Sequence, residues 1–252
     1  PCAMGLATPT ALIVGMGKAA QKQTLIKDGS ALENMRKVNA IVIDKTGTLT
    51  IPNPNIDFTK ADNIPFEERE QLKPNAAKAM ARLKEEGIDV FMMSGDKEAA
   101  AHYWAEKTGI VHYKSEVRPD DKQKLVSQLQ QEGKIVAMVG DGINDTQALA
   151  TADVGIAIGR GTDVAMDVAQ VTLMGNDLMA LPEAVNMSRR TVRMIWQNLF
   201  WAFIYNLVCI PLAAGALYLF DINFQITPMW ASALMAFSSV SVVLNSLRLK
   251  WL

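Results

Sequence analysis

Cysteine is scarce in this sequence: only Cys2 and Cys209 occur among 252 residues. Two thiols so far apart, each inside an apolar stretch, exclude a disulfide framework, and a buried thiol is the ordinary reading of each. Net charge is scarce as well. A formal charge of −1 at pH 7 leaves no basic face of the kind nucleic acid requires, so no such partner is expected. Charge of either sign is almost missing from one region. Between Met194 and Leu247 only Asp221 is charged, whereas residues 27–193 carry nearly all the acids and bases. Repeats and low-complexity tracts are missing too. So are an initiator methionine and a signal peptide; the chain opens at Pro1 inside an apolar helix, as a portion of a longer protein would.

What is present divides sharply. Half the residues are hydrophobic and a fifth are charged, and the partition above implies a membrane part and a soluble part in one chain. Residues 1–17 are apolar and small, too short to cross a bilayer alone, and read as the inner end of a spanning helix. Lys18, Lys22 and Lys27 follow, which suits a cytoplasmic exit. Near the other end, Asn198–Phe220 and Thr227–Leu247 are each long enough to span a hydrocarbon core of about 30 Å. The short connection Asp221–Gln225 makes them a hairpin. Arg189, Arg190 and Arg193 before it, with Arg248 and Lys250 after it, place both ends on the side of the soluble part. Trp196, Trp201, Trp230 and Trp251 lie near segment ends, as interfacial aromatics do.

Between these segments, strand-like and helix-like runs alternate, the pattern of a parallel α/β sheet. Ala40–Ile43, Val90–Met93, Ile135–Val139 and Val154–Ile158 are the expected buried strands. Pro74 and Gly87 bracket a helix over Ala76–Glu86, with Pro74 as its first residue, and Pro119 and Gly133 bracket another. Three acidic loops follow three of the strands: Asp44-Lys45-Thr46-Gly47-Thr48, Ser94-Gly95-Asp96 and Gly140-Asp141-Gly142-Ile143-Asn144-Asp145. Ligands of open α/β sheets bind beyond the carboxyl ends of the strands, so the loops should converge. Glycines and helix amino-termini let the backbone approach an anion. Carboxylates gathered at one point call for a cation, and oxygen ligands beside phosphate favour Mg²⁺. A carboxylate in that setting is a nucleophile for phosphoryl transfer, with Lys122 to neutralise charge. One such loop reads equally well as turn-forming Asp and Gly; three in order after strands point to one site.

Asp44-Lys45-Thr46-Gly47-Thr48-Leu49-Thr50 resembles the phosphorylation motif of P-type ATPases, within the haloacid dehalogenase fold (α/β, Rossmann-like). Ser94-Gly95-Asp96 resembles the family's Thr-Gly-Asp, Lys122 its third motif, and Gly140 to Asp145 its metal-binding hinge. The resemblance implies that Asp44 becomes an aspartyl phosphate. It implies a Mg²⁺ site at Asp44, Asp141, the Thr46 carbonyl and Asp145. It implies phosphate contacts from Lys45, Thr46, Gly47, Thr48, Ser94, Gly95, Asp96, Lys122 and Asn144, with Asp44, Lys122, Thr46 and Ser94 catalytic. Thr46 bears on the choice of chemistry. Phosphatases of this fold carry an Asp two residues after the nucleophile, and Thr cannot take up a proton in that role. The acyl phosphate should then persist long enough to drive a conformational change.

Polar groups within spanning segments are candidate functional groups, and soft sulfur ligands select Cu(I). Each is weak alone: the chain has fourteen methionines, and serine is an ordinary helix-contact residue. Together, Pro1-Cys2, Asn198, Tyr205-Asn206, Pro211 and Met235-Ala236-Phe237-Ser238-Ser239 resemble the copper(I) branch of heavy-metal P-type ATPases. The resemblance implies Cys2, Tyr205, Asn206, Met235 and Ser239 as ligands of Cu(I) or Ag(I), with packing or lipid contact left to Cys209. It implies ATP and Mg²⁺ as cofactors, ATP-driven export from the cytoplasm, a copper chaperone as partner, and a bacterial inner membrane with the soluble domain cytoplasmic. The expected domains are 1–26 (helix end and stalk), 27–185 (phosphorylation domain) and 186–252 (transmembrane hairpin). The sequence departs from the family at Ile51–Leu72, where a loop with one short helix, Pro65–Gln71, takes the place of a far longer nucleotide-binding domain. The family's earlier spans and its actuator domain, with the Thr-Gly-Glu motif, are expected to lie before Pro1 or to be absent. Two other readings remain: a membrane-anchored phosphatase of the same fold, which the short segment favours, and a catalytically incomplete fragment acting as a regulator.

Overall fold

A computed structural model describes residues 2–56, 63–159, 163–216 and 227–251. By contacts the chain forms two compact units, residues 19–186 and residues 1–18 with 187–252. In chain order the elements are α1 (Cys2–Gln21), β1 (Thr24–Ile26), α2 (Gly29–Lys37), β2 (Ala40–Asp44), β3 (Thr50–Pro52), α3 (Phe66–Arg69) and β4 (Glu70–Leu72). Then come α4 (Ala76–Glu85), β5 (Asp89–Met93), α5 (Glu98–Thr108), β6 (His112–Lys114), α6 (Pro119–Gln131) and β7 (Val136–Gly140). The rest are α7 (Thr146–Thr151), β8 (Val154–Ile158), α8 (Asp163–Val168), β9 (Val171–Leu173), α9 (Ala180–Ala213) and α10 (Pro228–Leu247).

Residues 19–186 are built on a seven-stranded sheet in the order β1-β9-β8-β7-β2-β5-β6. All neighbours are parallel except β1, which runs antiparallel to β9. Strands β2, β7 and β8 are buried at every position, as strands covered on both faces must be, and their near-continuous apolar composition follows from that. Order diverges from β2, with β5 on one side and β7 on the other. That is a topological switch point, where such sheets place their ligands. Asp44 ends β2 and pairs in register with Met93, the last residue of β5.

Several local details differ from the sequence reading. Thr24–Ile26, expected in the stalk, is an edge strand of this sheet. Pro74 is not the first residue of α4. Asn75 takes a left-handed conformation (φ 59°) as its N-cap, and the helix opens at Ala76. Ile51–Leu72 is not simply a loop with a helix over Pro65–Gln71. Its ends close as an antiparallel pair, β3 with β4, and the helix is the single turn α3. Helix α6 starts as expected, with Pro119 at its first position and the Arg118 N–H donating to Asp121 Oδ2 at 3.2 Å.

In the other unit α1, the later part of α9, and α10 supply helices long and apolar enough to cross a membrane. Small residues bring them close: a methyl on Gly15 would lie 2.3 Å from Thr191 Oγ1, and Ala3, Ala7, Ala202 and Val242 form a buried cluster. Asn198 ties the three helices together. Its amide donates to Ala7 O (3.1 Å) and Ser246 Oγ (2.8 Å), and its carbonyl accepts from Asn245 (2.9 Å). Trp196, Phe200, Phe203, Leu207, Met229 and Trp230 are exposed, as lipid-facing side chains are. Pro211 lies inside α9. The connection Asp221–Gln225, the charge at Asp221, Pro1, and the last part of the span expected to end at Phe220 lie outside the described residues.

Candidate functional site

At the carboxyl ends of β2 and β7 three carboxylates come together. One oxygen from each of Asp44, Asp141 and Asp145 lies within 4.8 Å of the others. Lys122, from the first turn of α6, donates to Asp44 Oδ1 at 2.5 Å and to Asp145 Oδ1 at 2.7 Å. Backbone shape makes this proximity feasible. Gly47 has φ 77°, and a methyl there would stand 2.0 Å from Asp141 Oδ2; one on Gly140 would stand 2.6 Å from Asp145 Oδ2. The Gly142 N–H donates to Asp145 Oδ2 at 3.3 Å.

Electrostatics follow from burial. Asp44 is pushed up to about 7, chiefly because burial disfavours its charge; Lys122 pulls it down, and Asp145 and Asp141 push it further up. Asp141 is raised by burial and then by Asp145. Burial opposes the charge on Lys122, yet Asp44 and Asp145 together hold it above its usual range. Lys73 is lowered by burial, against the pull of Asp141. Lys122 between Asp44 and Asp145, with Lys73 near Asp141, sets two ammonium groups against three carboxylates, an oxygen donor set that suits a hard divalent cation. Thr48 Oγ1, in the loop after Asp44, is also buried with no hydrogen-bond partner, an unsatisfied hydroxyl of the kind a bound group accounts for.

The other residues singled out from the sequence sort as follows. Ser94 is buried beside the end of β5, and its hydroxyl accepts from the Asp96 N–H at 3.1 Å. Thr46 and Asn144 are exposed in their loops, and Gly95 is not crowded. Lys45 and Asp96 depart from the phosphate-contact expectation. The Lys45 ammonium is fully buried and donates to Glu70 Oε2 and Asp96 Oδ2, both at 2.5 Å. Its N–H is taken by Met93 O, so neither Lys45 donor is directed at an anion. Glu70 and Lys73 were not singled out from the sequence. They flank the start of α4 with only their charge to mark them, and their burial becomes visible once β4 pairs with β3.

In the helical unit a cavity of about 210 Å³ is lined by Cys2, Tyr205, Asn206, Cys209, Met235 and Ser238, among others. Four of the five expected metal ligands therefore border one space. The fifth, Ser239, does not: its hydroxyl is exposed and donates to Met235 O at 3.2 Å. Ser238, one residue earlier, lines the cavity instead: both serines lie one turn past Met235, and the rotation of α10 turns Ser238 inward and leaves Ser239 half-buried. Cys209, expected to serve packing or lipid contact, lies one turn past Tyr205 and lines the cavity too.

Residues 56–153 match the haloacid dehalogenase-like hydrolase family. A copper-exporting P-type ATPase of Legionella pneumophila is 36% identical over 351 residues, covering 99% of this chain and 48% of that protein. A copper-exporting P-type ATPase of Bacillus subtilis is 36% identical, over 99% of this chain and 43% of that protein. Among solved structures, a zinc-transporting PIB-type ATPase superposes with a TM-score of 0.83 at 25% identity, over 99% of this chain and 56% of that one. The chain thus spans about half the length of the curated relatives it matches. The Legionella alignment runs over 351 residues against 252 here, so at least 99 residues within the matched region of that relative have no counterpart. Over 99% of its length the chain is thus similar to P-type ATPases named for copper, and the haloacid dehalogenase-like match falls in the unit that brings the Asp44 loop to Lys122 and Asp141.

Proposed function

We propose that the protein moves Cu(I), and Ag(I) by the same chemistry, across a membrane at the expense of ATP, with Asp44 carrying the phosphoryl group. The observation that supports this best is the pairing of Asp44 with Lys122, in a loop whose second residue after the nucleophile is Thr46. Asp44 attacks the terminal phosphorus as its carboxylate. A new oxygen–phosphorus bond forms while the bond to the bridging oxygen breaks, and the nucleoside diphosphate leaves with the electron pair. Lys122 holds the Asp44 carboxyl in place and offers positive charge to the transferring group, and Asp145 positions Lys122. Ser94 and Thr48 offer hydroxyls, and Gly47, Gly95 and Asn144 line the approach. Mg²⁺ fits the set of Asp44, Asp141, Asp145 and the Thr46 carbonyl; when bound it neutralises the carboxylates and the charge of the transferring phosphoryl group. With no carboxylic acid at Thr46 to activate water, the acyl phosphate persists.

The cargo follows from the helical unit. Cys2, Cys209 and Met235 put three sulfurs around one cavity with Tyr205 and Asn206, a soft donor set that suits a monovalent soft metal. Neither α10 nor the apolar stretch of α9 from Met194 onward contains a carboxylate, which speaks against a hard or borderline divalent ion. The direction is export from the cytoplasm, the membrane is the bacterial inner membrane with residues 19–186 as a cytoplasmic phosphorylation domain, and a soluble copper chaperone delivers the metal. Uptake of Ag(I) into inside-out membrane vesicles carrying the protein tests this. ATP-dependent uptake that disappears with Asp44→Asn supports the reading; uptake equal in both, or ATP-dependent loss from loaded vesicles, contradicts the mechanism or the direction respectively. A membrane-anchored phosphatase is the second reading, favoured by the shortness of the β3–β4 segment. Turnover of small phosphate esters unaffected by metal would select it.

A further inference from the structure

The segment between β3 and β4 is too short to be a nucleotide-binding domain, yet it does not lie idle on the surface. A cleft of about 590 Å³ opens beside the Asp44 loop, within the size range of small-molecule sites. It is lined from three directions. Lys45 and Asp96 border it from the loops that follow β2 and β5. Phe66, Arg69 and Glu70 border it from α3 and the start of β4. Lys97 and Trp104 border it from α5 and the residue before that helix.

Residues 64–70 of the segment are fastened in place on that side. Phe66 packs on Tyr103 with ring centroids 5.4 Å apart, and Tyr103 meets Trp104 edge-on at 5.0 Å. Tyr103 donates to Glu67, and Lys107 pairs with Glu67 at 3.2 Å. Arg69 is held too: its Nε donates to Ile64 O at 2.7 Å, and its guanidinium lies over the Phe66 ring at 5.1 Å. Glu70 is locked to Lys45 at the cleft's edge. The result is a fixed aromatic face stacked with a guanidinium plane, one loop away from the nucleophile. A planar base stacks on such surfaces whatever its identity, and Arg69 and Lys97 bring positive charge to a diphosphate.

We infer that this cleft is the nucleotide site of the chain: Phe66 and Arg69 hold the base and diphosphate of the phosphoryl donor, ATP, while its terminal phosphate lies at Asp44. This rests on the reading of Asp44 as the phosphorylated residue and adds where the donor's leaving group goes. The bond changes are those of the transfer to Asp44 already given, and the departing diphosphate occupies the cleft. The segment from β3 to β4 thereby does in miniature what a separate domain would otherwise do.

The test uses the whole chain in detergent micelles with two donors, terminally labelled ATP and labelled acetyl phosphate. Wild type, Phe66→Ala, Arg69→Gln and the conservative Phe66→Trp are compared. For Phe66→Ala and Arg69→Gln, the ATP concentration giving half-maximal labelling of Asp44 should rise about ten-fold or more, since loss of one stacking contact is worth that much. Labelling from acetyl phosphate should stay within about two-fold of wild type in both, since that donor has no base to stack. Phe66→Trp should behave as wild type, which a fold defect would not allow. Unchanged ATP dependence in both variants overturns the inference, as does a wild-type chain that labels from acetyl phosphate and not from ATP. Labelling from neither donor sinks the phosphorylation reading itself and the cleft with it. Trinitrophenyl-ATP binding to Asp44→Asn gives a readout without chemistry: it should be seen by fluorescence and weakened by Phe66→Ala, and its absence also overturns the cleft.

Discussion

Removing the Lys122 ammonium should raise the titration of Asp44 well above its already high midpoint. Asp44 titrates at about 7 because burial outweighs the attraction of Lys122. The Lys122 Nζ stands 2.5 Å from Asp44 Oδ1, with charge centres roughly 4 Å apart. At an effective dielectric of about 20 that attraction is worth about 4 kcal/mol, or roughly 3 pKa units at most. Lys122→Met should therefore move the midpoint up by about 1 to 3 units. The assay is the carboxyl ¹³C shift of Asp44 in aspartate-labelled protein without Mg²⁺, assigned by its loss in Asp44→Asn. A linked effect has a definite sign. Between pH 4 and 7 the folded unit holds a proton on Asp44 that the unfolded chain has released. Stability should thus fall as pH rises through that window, by about 4 kcal/mol in all, and level off above it. Mg²⁺ should flatten the fall by favouring the charged form. A wild-type midpoint near 4, or a lower midpoint in Lys122→Met, would refute the electrostatic account.

Three further perturbations follow from particular contacts. Gly47→Ala puts a methyl 2.0 Å from Asp141 Oδ2 at φ 77° and should cost about 1–3 kcal/mol. It should also raise the Mg²⁺ concentration needed for half-maximal phosphorylation, and an unchanged requirement contradicts the placement of Asp141. Asn198→Leu removes the donor shared by Ala7 O and Ser246 Oγ. The helical unit should lose about 0.5–2 kcal/mol, read by unfolding in mixed micelles, whereas no loss would mean the network is dispensable. Cys209→Ala and Ser238→Ala should each weaken Ag(I) binding by about ten-fold, measured by competition with a thiol chelator, while Ser239→Ala should leave it unchanged. The reverse ranking of the two serines would restore the sequence assignment.

How far the sequence could be read depended on how much each feature relies on distant neighbours. The central strands were legible because burial on both faces writes itself as runs such as Ala40–Ile43 and Val154–Ile158. Asp44, Asp141 and Asp145 were legible as loops after those strands, since an open parallel sheet sends its strand ends to one edge. Strands of three residues, Thr24–Ile26, His112–Lys114 and Val171–Leu173, owe their conformation to the partner they pair with and leave no periodic trace. Pro74 looked like a helix start, and Asn75 took the cap instead because it tolerates the left-handed turn. Glu70 and Lys45 pair across 25 positions, so neither could be recognised as buried before β3 and β4 met. Which of Ser238 and Ser239 borders the cavity is a matter of helix rotation, which adjacent serines do not encode. Cys209 sits in an apolar run that suits packing as well as it suits a ligand.

Chemical identification of a phosphoryl group on Asp44 tests the central claim most directly. Purified protein would be incubated with Mg²⁺ and terminally labelled ATP or acetyl phosphate, quenched in acid and treated with hydroxylamine. The account predicts an acid-stable label that hydroxylamine removes and that Asp44→Asn abolishes. A label that survives in Asp44→Asn, or no label from either donor, would contradict it.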